Sequence, residues 1–220
     1  MCVSIIIPFH NDWENIPITL GSCLMQDIPV EIVVVNDCST PPMGRPARLI
    51  DMIADRYLIN RENLGLAESR DEGIRAAKHD YIIPIDCMDW LYPNVLGRMI
   101  ELMDGVDVVY GNMTERDGGP ICVPPGKNGI TREGMMKMNQ LWCSSLFRKS
   151  LWEKVGGYKT VLKTSYEDYT FWNKCLMAGA KFRYIDLLVY RHQYDPNSML
   201  SKLHQHTEYF NELARQPLYE

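Results

Sequence analysis

No Cys-x-x-Cys pair occurs in the chain, and its seven cysteines, at 2, 23, 38, 87, 122, 143 and 175, are scattered and odd in number. A zinc ribbon and a complete disulfide framework are thereby excluded, and the thiols read as small buried hydrophobes. There is no stripe of Lys and Arg, and the net charge is −5. No electrostatic footprint for nucleic acid or an anionic membrane is present, so anionic ligands must be held locally. Low-complexity tracts are absent. No basic region precedes the first apolar run, which Pro8 ends far short of a secretory or membrane-spanning length. The expectation is a cytosolic protein in a reducing compartment, with no transmembrane segment and no nucleic-acid partner.

What is there describes an ordinary globular domain: 220 residues, 46% hydrophobic and 23% charged, a length one α/β domain can fill. Val3 to Pro8 is a β-branched run that predicts a buried strand. Trp13, Ile16, Leu20 and Leu24 follow at helical spacing, with Asn11 or Asp12 placed to cap that helix. Glu31 to Val35 predicts a second strand ending in the polar turn 36–40. A helix through Arg48 and Ala54, a strand at Tyr57 to Ile59, a turn from Asn60 to Gly65 and a helix from Ala67 to Lys78 come next. A strand then ends at Asp86. This βαβαβ order makes the strands parallel and gathers the turns at one carboxyl edge, where open sheets bind ligands.

Asp86 and Asp89 leave that strand three positions apart. Such a pair either caps a turn and the following helix or shares a divalent cation that neutralises a diphosphate. Beyond it, Leu96, Met99 and Met103 predict a core-facing helix, and Val106 to Tyr110 a strand. Residues 117–129 read as an irregular loop, Trp142 to Phe147 as a strand and Lys149 to Val155 as a helix stopped by Gly156 and Gly157. Glu167 and Asp168 open a further helix. Two strand-like pieces, Phe182 to Asp186 and Leu187 to Arg191, follow, and Met199 to Ala214 reads as an amphipathic helix.

Four blocks, in order and spacing, resemble the family 2 glycosyltransferases of GT-A fold: Ser4 to Asn11, Glu31 to Thr40, Asn63 to Ile74 and Asp86 to Pro93. Tyr166 to Trp172 stands where that family carries its Glu-Asp motif, and the likeness spans roughly residues 3 to 198. The resemblance implies a single domain with a Rossmann-like, mostly parallel sheet. Residues 1–92 would hold the nucleotide sugar, 93–198 the acceptor, and 199–220 would form a C-terminal helix. It also implies an inverting transfer from a nucleotide-diphosphate sugar, UDP-linked, to a hydroxyl of a glycan or glycoconjugate. Pro8, Phe9, Asn11, Asn63 and Asp37 would line the nucleotide, with Asp37 accepting the base imide hydrogen. Arg70 would pair with Asp37 or reach a phosphate, and Asp86 would orient to the ribose or the metal.

The family's metal motif is Asp-x-Asp-Asp, and Met88 here replaces its second Asp. A thioether is a poor ligand for a hard cation, so Mn²⁺ or Mg²⁺ would fall to Asp89 and Asp86, with His192 as the nearest helping histidine. Asp168 would be the general base and Glu167 its neighbour in the motif. Trp142 would stack on a sugar or fill the core. Two other readings stand beside transfer: a binding module that has lost catalysis through Met88, and a sugar nucleotidyltransferase, against which no Gly-rich basic loop follows the first strand.

Overall fold

The computed structural model describes residues 1–41, 46–115, 119–158 and 166–193. The expected helix at 199–214 lies outside them.

Alternation along the first strand shows how the sheet is buried. Of β1 (Val3–Phe9), the residues Val3, Ile5, Ile7 and Phe9 enter one core and Ile6 enters the other, and β2 (Val30–Asn36) splits Ile32 and Val34 from Val33 and Val35 in the same way. Both faces are apolar because helices cover both, which is why these segments read as continuous β-branched runs rather than polar–apolar alternations. On one face lie α1 (Ile16–Cys23), α2 (Pro46–Ile53) and α4 (Val95–Glu101). The other carries α3 (Leu66–Ala76), α5 (Arg132–Met135), α6 (Lys149–Val155) and α7 (Glu167–Met177).

The remaining strands among the described residues are β3 (Arg56–Ile59), β4 (Tyr81–Pro84), β5 (Trp90–Leu91), β6 (Val108–Thr114), β7 (Ile121–Cys122), β8 (Leu146–Arg148) and β9 (Phe182–Arg191). Their order in the sheet is β3-β2-β1-β4-β8-β6-β9-β5, with β7 on β6. Strands β1 to β4 pair in parallel, β8 runs antiparallel between β4 and β6, and β6 and β9 are parallel again. Six strands thus share one direction in a single α/β domain, as expected. The expected pair of strand pieces at 182–191 is one strand, whose register against β6 slips on either side of Asn112.

Two local expectations are corrected. The cap of α1 is Asn15, not Asn11 or Asp12, because Pro17 fixes the first turn further along; Asp12 instead accepts from Asn15 Nδ2 at 2.7 Å. Of 142–147, only Leu146 and Phe147 belong to a strand. Ser145 folds the rest into a turn, its amide donating to Cys143 O at 2.8 Å and its hydroxyl to Trp142 O at 2.7 Å.

Gly73 sets how closely α3 lies on the sheet, since a Cβ there would sit 2.5 Å from Ile6 Cγ2 and 3.0 Å from Val35 Cγ2. Gly73→Ala therefore destabilises the fold by about 1–3 kcal/mol through overpacking, against a helix-propensity gain of about 1 kcal/mol. Urea denaturation reads the difference, and an unchanged midpoint would show that α3 has room to move outward.

Candidate active site

At the carboxyl edge, the turns leaving β1 and β2 are tied to each other. The Asn11 amide donates to Ser39 Oγ at 2.8 Å, the Thr40 amide to Asn11 Oδ1 at 2.8 Å, and Trp13 Nε1 to Thr40 O at 2.9 Å. Asn11 adopts the left-handed conformation at φ 58°, and Pro8 and Phe9 are buried, Phe9 edge-on to Trp13. His10 Nδ1 lies 2.6 Å from Asp37 O. A carbonyl only accepts, so Nδ1 carries the proton and Nε2 accepts from Asn11 Nδ2 at 2.8 Å.

Asp37 is 4% exposed and anchors the turn after β3. It accepts from Asn60 Nδ2, the Leu64 amide and the Gly65 amide, each at 2.8 Å. With roughly four lone-pair directions on a carboxylate, about one remains for a ligand. Asn63 is exposed on the same turn.

Arg70 does not reach Asp37, and Asn60 takes that place. The guanidinium is fully buried and forks, Nη1 to Glu167 Oε1 and Nη2 to Asp86 Oδ1, both at 2.6 Å, with the Tyr158 ring 5.4 Å away. Burial alone would lower its pKa; Asp86 and Glu167 more than offset that and hold it well above the usual arginine value. One cation therefore joins α3, the turn after β4 and the start of α7.

The turn from Asp86 to Asp89 closes through the Asp89 amide on Asp86 O at 3.0 Å, with Met88 left-handed at φ 87°. The Asp89 side chain is 5% exposed, accepts from the Gln193 amide at 2.8 Å, and has both oxygens 3.1 Å from His192 Nδ1. Burial pushes the Asp89 carboxyl up against the pull of that contact, while the bond to Asp89 raises the imidazole. Of the three ligands expected for a cation, Asp89 and His192 meet each other, and Asp86, 34% exposed, gives one oxygen to Arg70. Among the described residues no group of three or more His, Cys, Asp or Glu converges as a metal site. The expected trio does not assemble, because Asp89 is turned inward onto His192 and Gln193.

Asp168 lies one residue beyond Glu167, itself 8% exposed and pinned by Arg70. Asp168 Oδ2 accepts from Asn139 Nδ2 at 2.9 Å, and Oδ1 from the Tyr169 amide at 2.7 Å. Burial, then the neighbouring Glu167 charge, push its pKa up to about 7, against the pull of Arg70. A carboxylate so poised suits proton abstraction near neutrality. Trp142 packs against the first core cluster. Asn60, Asn139, Tyr158 and Gln193 were missed by sequence reasoning; each stands outside the recognisable motifs, and only three-dimensional contact with a motif residue singles it out.

A helix-covered, mostly parallel sheet whose first three turns are tied to one another, and whose turn after β4 is joined through Arg70 to the acidic pair on α7, is a GT-A fold. Solved structures agree on the fold: S. aureus TarS 1–349 in complex with UDP-GlcNAc (TM-score 0.77, 20% identity, 91% of this chain and 61% of that one). The mannosyltransferase PcManGT from Pyrobaculum calidifontis, in complex with GDP-Man and Mn²⁺, is also similar (TM-score 0.70, 19% identity, 91% and 59%). The chain belongs to glycosyl transferase family 2, whose model matches residues 4–168. Relatives include the succinoglycan biosynthesis protein ExoU of Rhizobium meliloti, 26% identical over 83% of this chain and 59% of its own. Another is the Escherichia coli UDP-Glc:alpha-D-GlcNAc-diphosphoundecaprenol beta-1,3-glucosyltransferase WfaP, 28% identical over 84% and 74%. The chain thus spans about 60% of the length of the first relatives it matches.

Proposed function

We propose that this domain transfers a sugar, with inversion, from a UDP-linked donor to a hydroxyl of a glycan or glycoconjugate. The observation that supports this reading is the buried Arg70 fork, which holds Asp86, in the turn after β4, and Glu167, next to Asp168, in one fixed arrangement. In the displacement, the acceptor oxygen bonds to the anomeric carbon as the bond to the diphosphate oxygen breaks. Asp168 takes the hydroxyl proton, and the nucleoside diphosphate leaves with the bonding pair. Glu167 keeps its place on Arg70 and anchors α7. Residues 1–92 hold the donor and 93–198 the acceptor. WfaP, whose acceptor is a sugar on a lipid diphosphate, makes a lipid-linked sugar the first acceptor to try. Seven free cysteines suit a reducing, cytosolic placement; no helix among the described residues is long and apolar enough to cross a membrane.

Because the three expected ligands do not assemble, no step here runs through a cation; Asp86, the more open of the two carboxylates, is the residue to which Mn²⁺ or Mg²⁺ would bind. The test is nucleoside diphosphate release from UDP-glucose, UDP-GlcNAc and GDP-mannose, with donor binding measured in Mn²⁺ and in EDTA. Acceptor-dependent release of UDP supports transfer. Binding without turnover favours the binding-module reading, and tight binding in EDTA removes the cation. In the same calorimetry, Asp37→Ala weakens UDP by about 1–3 kcal/mol; an unchanged affinity would take Asp37 out of the nucleotide site.

A further inference from the structure

We propose that Asn139 is a positioning residue whose side-chain amide serves both protonation states of Asp168. Its NH₂ faces the carboxylate before proton uptake, and its carbonyl oxygen accepts the carboxyl O–H afterwards. This rests on the reading of Asp168 as the base.

The contact is short and the backbone behind it is fixed. Asn139 Nδ2 donates to Asp168 Oδ2 at 2.9 Å. The next residue, Gln140, is buried and stitched on both sides, its carbonyl accepting from the Gly126 amide and its Oε1 from the Thr131 amide, each at 2.9 Å. The other end of the Asn139 amide is unusual. Oδ1 is enclosed and, among the described residues, has no hydrogen-bond partner, a condition that asks for a reason in a buried acceptor. An ionised carboxylate only accepts, so it draws the NH₂ end toward itself and leaves the carbonyl end unpaired. Once Asp168 holds a proton it becomes a donor, and a half-turn of the amide, which barely changes its shape, brings Oδ1 to that proton.

The charged and titratable groups facing Asp168 come from several elements: Glu167 beside it, Arg70 from α3, Asp86 from the turn after β4, and Cys143, Tyr158 and Tyr190. The Tyr and Cys groups among them can donate or accept as they rotate, but the side chain seen hydrogen-bonded to Asp168 among the described residues is that of Asn139, at 2.9 Å.

Carboxyl and side-chain amide NMR of the isotope-labelled protein, without ligand, tests this. Loss of signal in Asp168→Asn identifies the Asp168 carboxyl resonance, whose midpoint lies at about 7. The Asn139 Nδ2 cross-peaks are expected to follow that midpoint in the unsubstituted protein and to stop responding to pH in Asp168→Asn. Asn139→Ala raises the Asp168 midpoint by about half a pH unit or more, because the charge-assisted bond lost from the ionised form is about twice as strong as the neutral bond lost from the protonated form. Asn139→Leu, closer in size, gives the same rise if the alanine variant folds poorly. Asn139 cross-peaks that ignore the midpoint, or a midpoint unmoved in both variants, overturn the inference. Undiminished transfer by Asp168→Asn overturns the base assignment instead, and leaves the titration result standing.

Discussion

Asp168→Asn lowers turnover by about 10²–10⁴-fold and leaves nucleotide-sugar affinity nearly unchanged. A hydroxyl becomes strongly acidic only as its oxygen bonds to the anomeric carbon, so a base acts on the transition state and adds little to donor binding. Asparagine keeps the shape and removes the proton acceptor. As the base proposed above, Asp168 acts when ionised in the free enzyme, so kcat/KM is expected to rise with pH through about 7, its raised pKa. Stability runs the other way. The folded value lies above the ordinary 3.8, so the folded state holds the proton more tightly, and the stability this contributes is lost as pH rises from about 4 through about 7. Asp168→Asn should therefore melt higher than the parent at pH 8 while being nearly inactive. Glu167→Gln is expected to harm stability more than chemistry, since its carboxylate is engaged by Arg70. If Glu167→Gln is the variant that loses turnover and Asp168→Asn transfers normally, the two roles are exchanged.

Arg70→Ala is the substitution with the largest expected cost to stability, about 3–5 kcal/mol, the range for removing one partner of a buried ion pair. Asp86 and Glu167 would be left as carboxylates without their cation, one of them deeply enclosed. Arg70→Lys should recover little of the loss, because an ammonium cannot present two diverging donors to two carboxylates from one plane. Urea denaturation at pH 7 and pH 5 checks the cause: the deficit shrinks at pH 5 as the orphaned carboxylates take up protons. A deficit below 1 kcal/mol at pH 7 would mean that water enters and solvates the pair.

Much of this arrangement was legible beforehand, and the parts that were not have a common reason. The βαβαβ half announced itself because strands buried on both faces must be apolar throughout, and the motif blocks fixed which turns would meet. The Glu-Asp pair at the start of α7 was equally visible. What stayed hidden were partners chosen across the fold. The sequence places Arg70 one turn into a helix and offers it Asp37 or a phosphate, but its partners are Glu167 and Asp86, brought to it by other elements of the fold. Likewise Asp89 was readable as a carboxylate near a cation, yet its contact with His192 follows from the antiparallel pairing of β5 with β9, which sets Trp90 against Arg191. Asn139 carries no signal in its neighbours at all.

The position of β8 has a consequence for how the chain is made. Strand β4 is complete at residue 84, but the strand that covers its far side is Leu146–Arg148. On the ribosome, the nucleotide half therefore waits for some sixty further residues with the β4 edge exposed in addition to that of β3, and edges of that kind invite pairing with a neighbouring chain. Nascent chains that expose β4 before β8 has emerged should aggregate more readily than chains in which β8 has paired with it.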